Sequence, residues 1–453
     1  MNLRMSIRAR GLKSAEPLLL VLGAAVATAL GALVTKSPTE AAILLVAGTA
    51  IAIALTRPAI LFMVGVLLLA VEPAKIFGEN STAGRPETFK LFLYACTVPL
   101  LLSRGIDRRR CAPLIGYVVV TILTEAFGTR LPGLTISQTV ASLATLSLGW
   151  LVFAIRWDWR RDYRLLKALA SVPVVSVVLG VTLQAMGVLP LFRDTSPPRL
   201  EGATIAAWLG AFGVCAVLAC LVLYRRSHWK WAASLGVVNV VILVATLTRG
   251  GIVALIIVAI PSLVRFGRRQ LSTNARSGLV KLGAALLVGL VGLAVAVPSL
   301  LERDENATVL VGDKGAHEIA SGRFRAWTFA YEQAKVNLAF GRGVGAGPIV
   351  GRSPRSPVGF TAQHNEYVRM LLEVGIVGGV ILLGTMVTTM ISVVRRAPSQ
   401  IRADLAAAGI ALAIYSITEN TLSATPIAVA FLLALGVAAS NASLLHTAPQ
   451  SAL

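Results

Sequence analysis

Long apolar runs, broken by short clusters of charge, proline and glycine, set the pattern of this 453-residue chain. A helix that crosses a bilayer needs about 20 mostly apolar residues, with a working range of roughly 17–25. Runs centred near 18–34, 41–55, 58–71, 89–102, 112–126, 134–155, 165–189, 203–224, 231–247, 251–264, 279–297, 367–394, 404–421 and 426–445 approach or reach that length. They predict about 12–14 spans, the short runs leaving the count open. Unpaired backbone N–H and C=O groups are too costly in lipid for anything but helices to fill such runs. The expected fold is all-α, a polytopic membrane helical bundle with one long extracytoplasmic loop. Its parts are residues 1–297 with spans one to eleven, the loop 298–365, and residues 366–453 with the last three spans.

The loop has a periodicity of its own. Phe324, Trp327, Tyr331, Ala334 and Leu338 recur at three- and four-residue steps, predicting an amphipathic helix over Gly322–Leu338 with Ser321 capping its start. Its aromatic face suits either the bilayer interface or a cover over the bundle.

With 56% hydrophobic residues and a mean hydropathy of +0.77, the chain is not a soluble domain. A net charge of +21 would suit nucleic acid in a soluble protein, but the placement of the charge points elsewhere. If the N-terminus is cytoplasmic, the inner loops hold Arg4, Arg8, Arg10, then Arg104, Arg108, Arg109, Arg110, then Arg156, Arg160, Arg161, Arg164. Further on they hold Arg225, Arg226, Arg265, Arg268, Arg269, Arg395, Arg396 and Arg402. Acidic residues run the opposite way. This is the positive-inside pattern, so both termini are expected in the cytoplasm, the long loop outside, and no nucleic acid among the partners. Met1–Val34 mimics a signal peptide but reads as an uncleaved first span, because the charge alternation then needs no adjustment. Cys96, Cys111, Cys215 and Cys220 lie in spans or at the inner edge, and offer neither an external disulfide nor a Cys-x-x-Cys metal pair.

Five outer segments share one side: Glu72–Lys90, Leu189–Ala203, Thr246–Gly251, Pro298–Asn365 and Thr418–Pro426. They hold the residues with chemical potential. His364 sits where the long loop re-enters the membrane, and its imidazole can take a proton near neutral pH; the plain alternative is a histidine satisfied by Glu366. Arg199, Arg249 and Arg323 lie at or near span ends. Arg249, between two tightly joined apolar helices, is costly unless an anion pairs with it, and guanidinium forks fit pyrophosphate oxygens; snorkelling is the alternative. The run Gly341–Gly347 offers backbone N–H groups to a phosphate or serves as a connection. Glu302, Asp304 and Glu305 form an acidic cluster whose default is solvated loop charge. Glu419 stands at the outer end of a late span, able to orient an arginine or acceptor. Glu373 lies four residues after Arg369, within reach of an ion pair.

In order, Leu247-Thr248-Arg249-Gly250, Ser321-Gly322-Arg323 with Trp327, Gly341-Arg342-Gly343-Val344-Gly345, and His364-Asn365-Glu366-Tyr367 with Glu373-Val374-Gly375-Ile376-Val377-Gly378 resemble the O-antigen ligase and polymerase family of membrane proteins. The resemblance covers about Arg199 to Gly379. It implies a GT-C-like bundle in the bacterial cytoplasmic (inner) membrane. There a metal-independent glycosyltransferase, without cofactor, would move a glycan from undecaprenyl pyrophosphate to a lipid- or glycan-linked acceptor at the outer face. Carried over, His364 would be the general base, and Arg249, Arg323 and Arg199 would hold the donor pyrophosphate. Trp327, Gly343, Gly345, Asn365 and Glu419 would support them. The rival from another class is a lipid-linked oligosaccharide flippase or transporter, which should show mid-membrane charges and related halves; no convincing internal repeat is present.

Overall fold

The computed structural model describes residues 56–78, 81, 86–194, 198–273, 317–354, 356 and 364–441, with backbone alone at 266–273 and 317–324. The expected spans near 18–34, 41–55 and 279–297 and the Glu302, Asp304, Glu305 cluster lie outside the described residues. Contacts divide the chain into two units, Met1–Phe62 and Met63–Leu453. The first is described only over 56–62, the beginning of α1 (Pro58–Leu68).

The second unit is an all-α membrane bundle; its only described sheet is β1 (Phe192–Arg193) against β2 (Arg199–Leu200). After the short α2 (Pro73–Phe77) in the outer segment, the apolar runs form helices α3 (Pro86–Arg104), α4 (Ala112–Phe127), α5 (Ile136–Ala154), α6 (Trp159–Ala185), α7 (Ala206–Ser227) and α8 (Ala232–Ala245). After them come α9 (Arg249–Thr273), α10 (His317–Ala334), α11 (Ala346–Gly351), α12 (Glu366–Arg396), α13 (Arg402–Thr418) and α14 (Thr425–Ala438). Polar punctuation sets the starts. Thr135 and Gln138 form a reciprocal capping box at α5, and Asp158 accepts from the Arg160 N–H at α6. Four described helices are long and apolar enough to cross a membrane: α5, α6, α7 and α12.

A helix apolar on every side belongs in the interior, and α14 is such a helix. Every one of its residues is buried, packed against α5, α6 and α7. Around this centre α9 packs on α13 and α7, while α12 packs on α4 and α13.

The loops assigned to one side meet one another. Glu72 N–H donates to the Ala203 carbonyl at 3.0 Å, and Lys75 pairs with Glu201. Arg199 Nε donates to the Thr246 carbonyl at 3.0 Å, and His364 reaches Glu419 at 3.3 Å. At the other end Arg104 pairs with Asp162 at 2.8 Å, and Arg225 and Arg265 share Asp404 at 2.8 and 3.1 Å. Alternating charge in the sequence therefore corresponds to two distinct ends of the bundle.

Two details of the loop helix differ from the periodicity. Helix α10 begins at His317, so Ser321 is interior and not a cap; Glu318, Ile319 and Ala320 extend the helix by a turn. Its buried stripe is Ala326, Ala330 and Ala334, while Tyr331 is 41% exposed. Small side chains let the α10 backbone approach Leu131, Leu134 and Leu372 closely. Phe329 packs at the edge of this cluster and Trp327 is half-buried.

Candidate active site

The site is assembled around the entry of α12. Asn365 caps that helix, its side-chain oxygen accepting from the N–H groups of Tyr367 at 3.0 Å and Val368 at 3.1 Å. His364 precedes the cap with φ of +49°, a left-handed conformation uncommon for a non-glycine residue. Such strain persists only where surrounding contacts hold it. Here His364 Nδ1 lies 3.3 Å from Glu419 Oε2. Glu419 is held in turn by the end of α13, its N–H donating to the Tyr415 carbonyl at 3.0 Å. In the tautomer whose Nδ1–H donates to the carboxylate, Nε2 carries the ring's acceptor lone pair. The imidazole is 37% exposed and Glu419 17%, so the ring is the more exposed of the two.

Glu366 is not the partner of His364. It is fully buried, pairs with Arg369 and accepts from the Ser423 hydroxyl at 3.2 Å. Arg369 also pairs with Glu373, making a buried Glu366–Arg369–Glu373 triad on one face of α12. The expected Arg369–Glu373 pair is therefore present, and its extension to Glu366 and Ser423 was not anticipated. A charged residue at three- and four-residue steps inside an apolar run was the available signal.

The glycine run serves this triad. Gly347 N–H donates to Glu373 Oε1 at 3.1 Å, Gly343 N–H to the Glu373 carbonyl at 3.0 Å, and Arg342 N–H to the Leu372 carbonyl at 2.8 Å. Helix α12 breaks at Gly375 (φ 68°), and the freed Ile376 and Val377 N–H groups donate to the Leu338 and Ala339 carbonyls at 2.9 and 3.0 Å. Only glycine takes that backbone conformation readily. Arg342 is buried, anchored by Nε to the Thr129 carbonyl at 2.8 Å and by a terminal N–H to the Gln333 carbonyl at 3.0 Å. Burial pulls its guanidinium pKa below the usual range. The N–H groups of Gly341, Arg342, Gly343, Ala346 and Gly347 are thus committed to the chain itself, and the anion that the Gly347 N–H meets is Glu373. Gly343 and Gly345 lie in this loop.

Arg249 opens α9 directly after a tight turn and is exposed. In that turn Leu247 has φ of +51°, and the Thr246 and Thr248 hydroxyls lie 2.7 Å apart. Arg199, half-buried, reaches the same turn through the Thr246 carbonyl. Gly250 presses on α13: a Cβ there would stand 2.6 Å from the Tyr415 ring. That contact sets Arg249 beside the end of the helix that carries Glu419. Gly250→Ala is expected to push α9 off α13 and lower activity about tenfold or more, with a stability loss of roughly 1–3 kcal/mol. Activity and thermal unfolding of that variant check it.

The structure thus brings His364, Glu419, Arg249 and Arg199 to one end of the bundle. Arg323 lies on α10, where the backbone alone is described, and Trp327 on the same helix is half-buried. Two cavities open among the described helices. One, of about 500 Å³, runs between α12 and α13 from Glu366 and Tyr367 to Arg395, lined by Met370, Met386, Ile391 and Ile410. The other, of about 830 Å³, lies among α3, α5 and α11, with Glu87, Lys90, Gln138 and Arg352 set among apolar residues such as Leu91 and Ile349.

Comparison with known families adds one match: residues 235–383 fit the family model described as O-Antigen ligase. The matched stretch contains Arg249, Arg323, Trp327, Gly343, Gly345, His364 and Asn365, and leaves Arg199 and Glu419 outside. No curated protein matches the chain.

Proposed function

We propose that this membrane protein, which belongs through residues 235–383 to the O-antigen ligase- and polymerase-related family, transfers a glycan from a polyprenyl-pyrophosphate carrier to an acceptor hydroxyl. The reaction takes place at the outer face of the bacterial cytoplasmic membrane. The His364–Glu419 pair supports this reading most strongly, because it lies at the same end of the bundle as Arg249, whose neighbour Gly250 packs on the helix that ends at Glu419.

His364 Nε2 takes the proton from the acceptor hydroxyl while that oxygen bonds to the anomeric carbon. The bond from that carbon to the phosphate oxygen breaks, and the electron pair leaves on the carrier pyrophosphate. Glu419 holds the imidazole in the tautomer that accepts at Nε2 and stabilises the imidazolium that forms. Arg249, Arg199 and Arg323 neutralise the diphosphate, and preorganised donors aimed at developing charge are often the largest catalytic contribution. The apolar groove between α12 and α13 suits the carrier's isoprenoid tail, and the polar side chains on the walls of the cavity beside α11 suit sugar hydroxyls. Anchoring both substrates in one membrane supplies proximity.

Arg249→Ala is expected to raise the donor KM and to slow transfer by about 10–10²-fold, less than the loss of a sole stabilising donor, because two further arginines remain. Mass analysis of carrier-linked glycans in a strain lacking the protein tests the function itself. Accumulated full-length carrier-linked polymer identifies a ligase, and single repeat units a polymerase. Loss of all external carrier-linked glycan would identify a flippase and overturn the proposal.

A further inference from the structure

At the far end of α12 from His364, a pocket of about 270 Å³ opens between the 107–110 turn, Arg156 and Trp157, the last turn of α12 and residues 439–441. Four arginines line it: Arg109, Arg110, Arg156 and Arg396. Arg110 belongs to the fold. It is buried, pairs with Asp107 at 3.2 Å, and donates to the Phe153 and Gly436 carbonyls at 3.2 and 3.0 Å.

The other three are exposed, come from separate segments, and have no carboxylate partner among the described residues. Elsewhere at this end the arginines that hold helices together are satisfied. Arg104 has Asp162, Arg225 and Arg265 have Asp404, and Arg226 donates to the Ala438 and Ser440 carbonyls at 2.9 and 2.7 Å. Among the described residues lining this pocket, three guanidinium groups lack a carboxylate, Arg156 donating to the Ile106 carbonyl at 3.3 Å, while Asp107 is committed to Arg110. Forked guanidinium donors match phosphate oxygens, two at a time.

The pocket's exit favours a lipid over a soluble phosphate. Helix α4, which leaves the turn, carries Ile115, Val118, Val119 and Ile122 outward at three- and four-residue steps, 42% to 62% exposed. Acyl chains can lie along that track while the headgroup stays among the arginines; Trp157, whose Nε1–H donates to the Val152 carbonyl at 3.1 Å, also lines the pocket. We infer that this pocket binds the phosphate of an anionic glycerophospholipid in the leaflet at the basic end of the bundle. This site is separate from glycan transfer and does not depend on that reading.

Native mass spectrometry of the full-length protein tests it, with phosphatidylglycerol, phosphatidylcholine and inorganic phosphate as probes. The wild type is expected to retain phosphatidylglycerol about tenfold better than phosphatidylcholine, and the combined change Arg109→Ala, Arg156→Ala, Arg396→Ala to abolish that preference. The matching lysine substitutions keep the charge and are expected to keep most of the preference, which also controls for folding. Arg160→Ala with Arg164→Ala removes cations at the same end and outside the pocket, and is expected to change nothing. Three results would overturn the site: an unaltered preference in the triple alanine variant, an equal loss in the Arg160/Arg164 variant, or no preference in the wild type. Inorganic phosphate binding as tightly as phosphatidylglycerol would replace the lipid with a soluble anion and overturn the assignment as well.

Discussion

His364→Ala is expected to slow glycan transfer by about 10²–10⁴-fold, the usual contribution of a positioned base, while membrane insertion and thermal stability stay near wild type. The side chain is more than a third exposed at the end of the bundle, so its removal opens no interior cavity. What disappears is the group that accepts the hydroxyl proton. Glu419→Gln is the informative companion. An amide is neutral and can turn its NH₂ toward Nδ1, which would shift the proton to Nε2 and give the wrong tautomer. That variant is expected to lose kcat with little change in KM. Kinetics on the purified variants check both, and a fully active His364→Ala protein would remove the base from the mechanism.

Arg369→Met is expected to cost about 3–5 kcal/mol of stability, because it leaves two buried carboxylates without their counter-ion. Those carboxylates join three parts of the site. Glu366 is bonded to Ser423, four residues past Glu419; Glu373 is bonded to the Gly347 N–H; and both sit on the helix that His364 precedes. Loss of Arg369 therefore loosens the glycine loop and the His364–Glu419 pair together. Adding Glu366→Gln and Glu373→Gln should restore stability, since paired charges and neutral groups of the same shape can be equally stable. It should not restore full kcat, because Arg369 acts as a positioning residue. Thermal unfolding and transfer rates separate the two effects, and an Arg369→Met protein as stable as wild type would contradict the buried triad.

Much of the fold was legible because membrane solvation is a coarse constraint. Apolar length gave helices, and all of the expected spans that fall in described residues coincide with α-helices. Charge alternation grouped the loops into two ends. Finer features depended on tertiary contacts that periodicity does not carry. The aromatic stripe of α10 looked like the packing face, yet alanines pack there because small side chains allow closer approach.

For the site, Arg199, Arg249, His364 and Glu419 stood out as polar residues at span ends, and the structure gathers them at one end. Glu419, read as able to orient an arginine or acceptor, lies against His364. The tempting Glu366 is two residues along a helix from His364, on another face, and faces inward. The glycine run could be read as a phosphate cradle only because its own anion, Glu373, lies 26 residues from Gly347.

The most direct measurement is transfer by the purified protein in liposomes, with a polyprenyl-diphosphate glycan and an acceptor both supplied at its outer face. Lengthened or glycosylated acceptor, formed together with free polyprenyl diphosphate and lost in His364→Ala, is the predicted result. No product from the wild type, with intact donor instead moving across the bilayer, would contradict the account.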